Sequence, residues 1–235
     1  MKNNEKKIKL FADGPNLNEI NDQFKYEIDG YTFNPSLFKK NGAKDYLDYC
    51  RKILELCENK PVSLEVFADD EEGMLKQAKI INDLGSNIYV KIPIVYTNGT
   101  STISTISKLV KENIKLNITA IFLLDQIKNI IDSIKDTETI LSIFVGRIYD
   151  CGIDAKKNML EINKFIHDNS KCKSLWASTR MSFDYICAQD TDTDIITMQV
   201  SQIKKLDMFG KKLSDYSKET VQQFFDDAKS CNFKI

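Results

Sequence analysis

Asn87-Ile88-Tyr89-Val90-Lys91-Ile92-Pro93 is the stretch on which the fold turns. Its apolar residues run on continuously instead of alternating, which predicts a strand buried on both faces. Runs of the same kind recur at Ile8 to Ala12, Gly30 to Phe33, Val62 to Phe67, Leu116 to Phe122, Thr139 to Phe144, Ser174 to Ala177 and Ile195 to Met198. Helical patterns lie between them. Tyr46, Leu47, Cys50, Ile53, Leu54 and Cys57 share one face, and Asp70 to Leu84, Ser101 to Val110, Asp125 to Ile134 and Asp154 to Ile166 read similarly, with Gly85 as a stop signal. Strands that alternate with helices are parallel and joined by crossovers. Eight such units close a (β/α)8 barrel. The rival is an open doubly wound sheet, which would want a G-x-G-x-x-G turn, and none of the nine glycines is so arranged. The expectation is an α/β fold, a single (β/α)8 TIM barrel over residues 1–235. An additional C-terminal helix, Asp215 to Ala228, either covers the barrel mouth or docks on a neighbouring subunit.

Composition removes several functional classes. Lys plus Arg is 33 and Asp plus Glu is 34, so no basic excess points to nucleic acid. The apolar runs are far shorter than the roughly 20 residues of a membrane span. Met1 to Lys9 is polar, with no signal-peptide core, so a cytoplasmic location is expected. Six cysteines form no CxxC pair and read as reduced, buried thiols, Cys50 and Cys57 facing the core. The one histidine, His167, sits among Lys164, Asp168 and Asn169 and reads as a solvated surface residue. Ser-His-Asp and Cys-His catalysis and His-rich zinc sites are thereby excluded. Neither metal nor cofactor is expected. Chemistry must rest on Lys, Asp, Glu, Arg, Thr and Ser.

In a barrel of this kind catalytic groups sit where strands end and the βα loops begin. Lys91 lies in a buried strand, where a charge is costly unless paired or neutralised. It is either a nucleophile for carbonyls or a lysine that snorkels or forms a buried ion pair. Asp13, after Lys9-Leu10-Phe11-Ala12, is either a helix cap ahead of Pro15 or an acid/base group at the barrel mouth. Glu65 is another charge in an apolar strand. Asn117 and Thr119 alternate and so point to the same side, and Ser142 is a hydroxyl in the sixth strand. Arg147 and Arg180 open adjacent loops, where they clamp one phosphate or form surface salt bridges. Together these groups read as a Schiff-base enzyme acting on a phosphorylated sugar.

The motifs resemble those of the transaldolases, especially the short subfamily that includes fructose-6-phosphate aldolase. Tyr31-Thr32-Phe33-Asn34-Pro35-Ser36-Leu37 resembles the family's T-T-N-P-S-L, and Ile88-Tyr89-Val90-Lys91-Ile92-Pro93 its I-x-V-K-I-P. Asn117-Ile118-Thr119, Phe144-Val145-Gly146-Arg147-Ile148 and Ala177-Ser178-Thr179-Arg180 resemble its N-x-T, F-V-G-R and A-S-x-R segments. The resemblance implies that Lys91 forms the imine with a ketose phosphate and that Asp13 moves the C4 hydroxyl proton. It implies that Glu65 and Thr119 hold a proton-relaying water. It also implies that Asn34, Asn117 and Ser142 hold the dihydroxyacetone unit, with Thr32 and Phe144 beside it. Arg147, Arg180 and Ser178 would bind phosphate.

Within the family, the aldolase branch carries Gln at the position of Glu65 and Tyr at that of Phe144. Glu65 and Phe144 follow the transaldolase pattern, which implies transfer over simple cleavage. The aldolase reaction and a sugar-phosphate-binding barrel without turnover are the competing readings. The departures are Phe33, a bulky ring expected beside Asn34, the segment Asp13-Gly14-Pro15-Asn16, Thr179, and the loop Thr97-Asn98-Gly99-Thr100. They leave the acceptor sugar open. A homo-oligomer is expected, with Phe224, Phe225 and Phe233 as candidate contacts.

Overall fold

The computed structural model describes residues 8–21 and 26–231. The polar segment 1–7 and Phe233 lie outside the described residues. The barrel strands are β1 (Lys9–Asp13), β2 (Gly30–Thr32), β3 (Val62–Glu65), β4 (Ile88–Pro93), β5 (Leu116–Ile121), β6 (Ile140–Ile143), β7 (Lys173–Trp176) and β8 (Ile195–Met198). Each pairs in parallel with the next, and β8 returns to β1, closing the barrel. The helices are α1 (Leu17–Ile20), α2 (Pro35–Lys40), α3 (Tyr46–Leu56), α4 (Glu71–Asn82), α5 (Ile103–Lys111), α6 (Leu124–Ile134) and α7 (Val145–Asp150). They continue as α8 (Ala155–Asn169), α9 (Asp184–Asp190), α10 (Val200–Lys205) and α11 (Leu213–Ser230). The (β/α)8 expectation holds, and the open-sheet rival is excluded.

Side chains alternate along each strand, and the two sets form two cores. Val90 and Ile92, with Leu64, Ile118 and Leu141, face the helices and join the large outer core. There the apolar face of α6, Ile127, Ile130, Ile131 and Ile134, packs beside α5. Each such fully buried side chain contributes about 1.5–3 kcal/mol. The opposite set points into the barrel. Phe11, Ile140, Leu175, Ala177 and Ile195 form a separate apolar plug in the interior. Gly30 is required there, because a Cβ on it would come within 2.6 Å of the Phe11 ring.

Several expectations are corrected. α4 ends at Asn82, capped by Asp83, so Gly85 lies beyond the turn and does not stop it. His167 is only partly solvated: its side chain is 27% exposed, and its Nε2 lies 2.9 Å from Asp194, whose carboxylate also accepts the Ser174 N–H on β7. It therefore belongs to a polar clasp that ties α8 to β7 and the start of β8. Cys50, Cys57, Cys172 and Cys187 are buried, but Cys151 and Cys231 are exposed. The C-terminal helix forms as α11, yet none of its residues is buried and Phe224 and Phe225 are more than half exposed, so it does not pack over the barrel mouth. Among the described residues no helix is long and apolar enough to cross a membrane.

Candidate active site

The C-terminal ends of the inward-facing rows carry polar side chains. Strand register brings them level: Asp13 lies beside Thr32, Glu65 beside Lys91, and Lys91 beside Asn117. Lys91 is only 5% exposed. Its Nζ lies 3.1 Å from Glu65 Oε2 and donates to the Phe33 carbonyl at 3.1 Å. The buried-pair reading of this lysine is therefore met, but Lys91 also lines a cavity. Tyr46 donates to the Glu65 carbonyl at 2.6 Å and fixes the end of β3.

Asp13 is the last residue of β1. It does not cap a helix, because α1 is capped by Asn16, whose side chain accepts from the Asn18 and Glu19 N–H groups. Asp13 instead accepts a 2.8 Å bond from the Thr32 hydroxyl, which lies 2.6 Å from that of Thr197. Burial pushes the Asp13 pKa above the usual carboxylate value. The Lys91 charge and the Thr32 bond oppose that shift without cancelling it.

A second network fixes the opposite wall. Ser142 donates to Asn117 Oδ1 at 2.7 Å, and Asn117 Nδ2 donates to Ser63 at 3.0 Å. The Asn117 amide is thereby held in one orientation. The Thr119 hydroxyl is buried and makes no hydrogen bond within the described residues. Just after it, Ala120 adopts a φ of 59°, at a bulge between Ile118 and Ile121. A left-handed alanine costs on the order of 1 kcal/mol, and such bulges re-aim side chains beside functional sites.

These groups share a cavity of about 190 Å³, whose lining includes Asp13, Thr32, Asn34, Lys91, Thr119, Ser142, Phe144, Arg147, Ser178 and Arg180. The rim that follows β6 and β7 is cationic. Arg147, on α7, lies over the Phe144 ring with its guanidinium carbon 5.2 Å from the ring centre. The β7 loop presses on α7: a Cβ on Gly146 would come within 1.7 Å of the Ser178 carbonyl oxygen. Ser178 itself has a φ of 63°. Asp184 accepts the Arg180 and Met181 N–H groups, and Gln202 bonds Thr179 through both its oxygen and its nitrogen. Glycine at 146 is thus what lets the two arginine-bearing segments meet.

The sequence profile of the family described as Transaldolase/Fructose-6-phosphate aldolase matches residues 10–235. This chain belongs to that family. A probable transaldolase of Thermoplasma volcanium is 34% identical over 204 residues, covering 85% of this chain and 87% of that protein. A probable transaldolase of Methanococcus vannielii is 32% identical over 222 residues, covering 94% and 97%. Among solved structures, dihydrodipicolinate synthase from Rhodopseudomonas palustris superposes with a TM-score of 0.56 at 11% identity, covering 95% of this chain and 80% of that one. That likeness concerns the fold alone.

Against the transaldolase-family motifs, Lys91, Asp13, Thr32, Thr119, Ser142, Phe144, Arg147, Ser178, Arg180 and Asn34 come together at one cavity, with Glu65 and Asn117 hydrogen-bonded or ion-paired to its wall. Three details differ from the sequence reading. The Asn34 oxygen caps α2 by accepting the Leu37 N–H at 2.9 Å, which leaves its amide nitrogen for a ligand. The Phe33 ring is fully buried on the outer side against Phe38, so it does not crowd the cavity, and its carbonyl holds Lys91 instead. Arg147 is part of α7 and not of a loop. Ser63, Thr197 and Gln199 were missed. Ser63 and Thr197 follow the inward alternation of their strands and Gln199 directly follows β8, but a lone hydroxyl or amide there is an ordinary residue in sequence.

Proposed function

We propose that this transaldolase-family protein transfers a dihydroxyacetone unit from a ketose phosphate to an aldose phosphate through an imine on Lys91. One observation carries the reading: a buried lysine, 3.1 Å from a carboxylate, at a cavity that a second carboxylate and two arginines also line. The neutral amine of Lys91 attacks the C2 carbonyl to give a carbinolamine, which loses water to form the imine. Glu65 is placed to take the amine's proton. The Thr119 hydroxyl, with no protein partner among the described residues, is available to hold a relaying water with Glu65. Asp13 removes the C4 hydroxyl proton, the C3–C4 bond breaks, and its electron pair passes to the imine, leaving an enamine and a free aldose phosphate. C3 of the enamine then attacks the acceptor aldehyde, Asp13 returns the proton to the new hydroxyl, and hydrolysis frees Lys91. Asn34, Asn117 and Ser142 hold the hydroxyls of the three-carbon unit, with Thr32 supporting Asp13. Arg147, Arg180 and Ser178 hold the phosphate.

Phe144 supports transfer over release, because a phenyl ring cannot supply the proton that would discharge the enamine as free dihydroxyacetone. The family and the two cavity arginines support small sugar phosphates as the partners, and the even charge balance supports no nucleic-acid partner. The exposed apolar side chains of α11 support a homo-oligomer, which a solution mass checks. The test of function is a steady-state assay with fructose 6-phosphate, with and without an acceptor aldose phosphate other than its own cleavage product, such as erythrose 4-phosphate. Transfer predicts turnover that depends on the acceptor. Equal turnover without it would make the protein an aldolase.

A further inference from the structure

The two cavity arginines differ in what they already hold. All three guanidinium nitrogens of Arg180 are engaged by the protein. Nε donates to Asp150 Oδ1 at 3.0 Å and Nη2 to Oδ2 at 2.5 Å, while Nη1 donates to the Ser178 carbonyl and hydroxyl at 2.9 and 3.1 Å. A phosphate oxyanion prefers two parallel N–H donors of a guanidinium, and both edges that could supply them include a nitrogen already bonded to Asp150 or Ser178. The Ser178 carbonyl is fixed against Gly146. Asp150, by contrast, is the last residue of the six-residue α7, and the Asp150–Arg180 pair is exposed at 55% and 38%. Solvent screens an exposed pair of this kind, so the carboxylate is the contact that gives way.

We propose that Asp150 is a resident counter-anion of the phosphate subsite, which occupies the Arg180 fork between ligands and lowers that subsite's affinity for phosphate by competing for it. The inference rests on the transfer reading for its purpose. A transferase empties and refills one phosphate subsite in every cycle, and an internal competitor speeds that exchange. Arg147, stacked on Phe144, supplies attraction while Arg180 is engaged. The Asp150 carboxyl is held below its usual pKa by the Arg180 bonds and then by the Arg180 and Arg147 charges, so it remains an anion through the neutral range.

Inorganic phosphate, titrated into the protein near pH 7.5 and followed by phosphorus-31 NMR, tests this without turnover. Asp150→Asn keeps an acceptor for the guanidinium and removes the competing charge, and it is expected to bind phosphate about three- to fivefold more tightly. Asp150→Glu, which keeps the charge, is expected to stay within about twofold of the wild type. Equal or weaker binding by Asp150→Asn, as a mere buttress for Arg180 would give, overturns the proposal. So does equal tightening in Asp150→Glu, or no phosphate binding by either the wild type or Asp150→Asn. A failed imine test with phosphate tightening intact would contradict the transfer reading and leave the counter-anion in place.

Discussion

Lys91→Met is expected to lower turnover of fructose 6-phosphate by at least about 10⁴-fold, since a covalent nucleophile has no substitute in the cavity. Among the described residues no other amine lines the cavity: the remaining cations of its lining are Arg147 and Arg180, whose guanidinium groups do not form imines with ketoses. Methionine is close to lysine in length and fills the same slot between β3 and β5. Removing the cation leaves Glu65 without its 3.1 Å partner, in a site where its side chain is 17% exposed. Breaking a buried pair from one side costs about 3 kcal/mol at most in such a partly open position. The variant should therefore unfold at a lower temperature than the wild type but retain the barrel. Circular dichroism separates that loss from the loss of catalysis. Lys91→Met with turnover within about tenfold of wild type would remove the lysine from the mechanism.

Asp13→Asn gives the second large effect, and it acts at a different step. Its turnover should fall by about 10²–10⁴-fold, the span of a lost general base. Imine formation does not require Asp13, so borohydride should trap an intact six-carbon adduct in this variant where the wild type yields a three-carbon one. Stability should move the other way. The folded-state pKa of Asp13 is raised, by burial first. A raised carboxyl pKa contributes stability that is full below the unfolded pKa and lost as pH rises through the folded value. At neutral pH the ionised Asp13 is thus a net cost, which the uncharged amide removes while its oxygen still accepts from Thr32. Asp13→Asn should melt higher than the wild type at pH 7, and the gap should close as pH falls toward the acid range. A lower melting temperature at pH 7 would show that the attraction to Lys91 outweighs burial.

The residues most legible from the strand pattern itself share one physical signature, a polar residue where the pattern demands an apolar one. Lys91, Glu65 and Asn117 stand out from Ile, Val and Leu, and the alternation of Asn117 with Thr119 already placed both on one side of β5. The barrel was legible for the same reason, since continuous apolar runs require cover on both faces. What escaped reading depends on partners remote in the chain. His167 looks solvated beside Lys164 and Asp168, until the fold brings Asp194 to its ring. Thr197 is an ordinary strand hydroxyl until it meets Thr32 across 165 residues of sequence. Asp13 before Pro15 carries a helix-cap signal, but Asn16 takes the cap because the chain needs three more residues to leave β1. The Ala120 bulge has no glycine to announce it. Asp150 lies one turn beyond Gly146 on α7, and only the packing of Ser178 on Gly146 brings Arg180 to it.

The energetics and the proposed chemistry meet at Lys91. Burial makes a charge there expensive, and Glu65 and the Phe33 carbonyl offset that cost. The most direct test of the imine is borohydride reduction in the presence of fructose 6-phosphate, followed by peptide mass spectrometry. The account predicts a reduced three-carbon adduct on the peptide that carries Lys91, discharged when erythrose 4-phosphate is added before the borohydride. A wild-type protein that turns the sugar over but carries no adduct on Lys91 would contradict it.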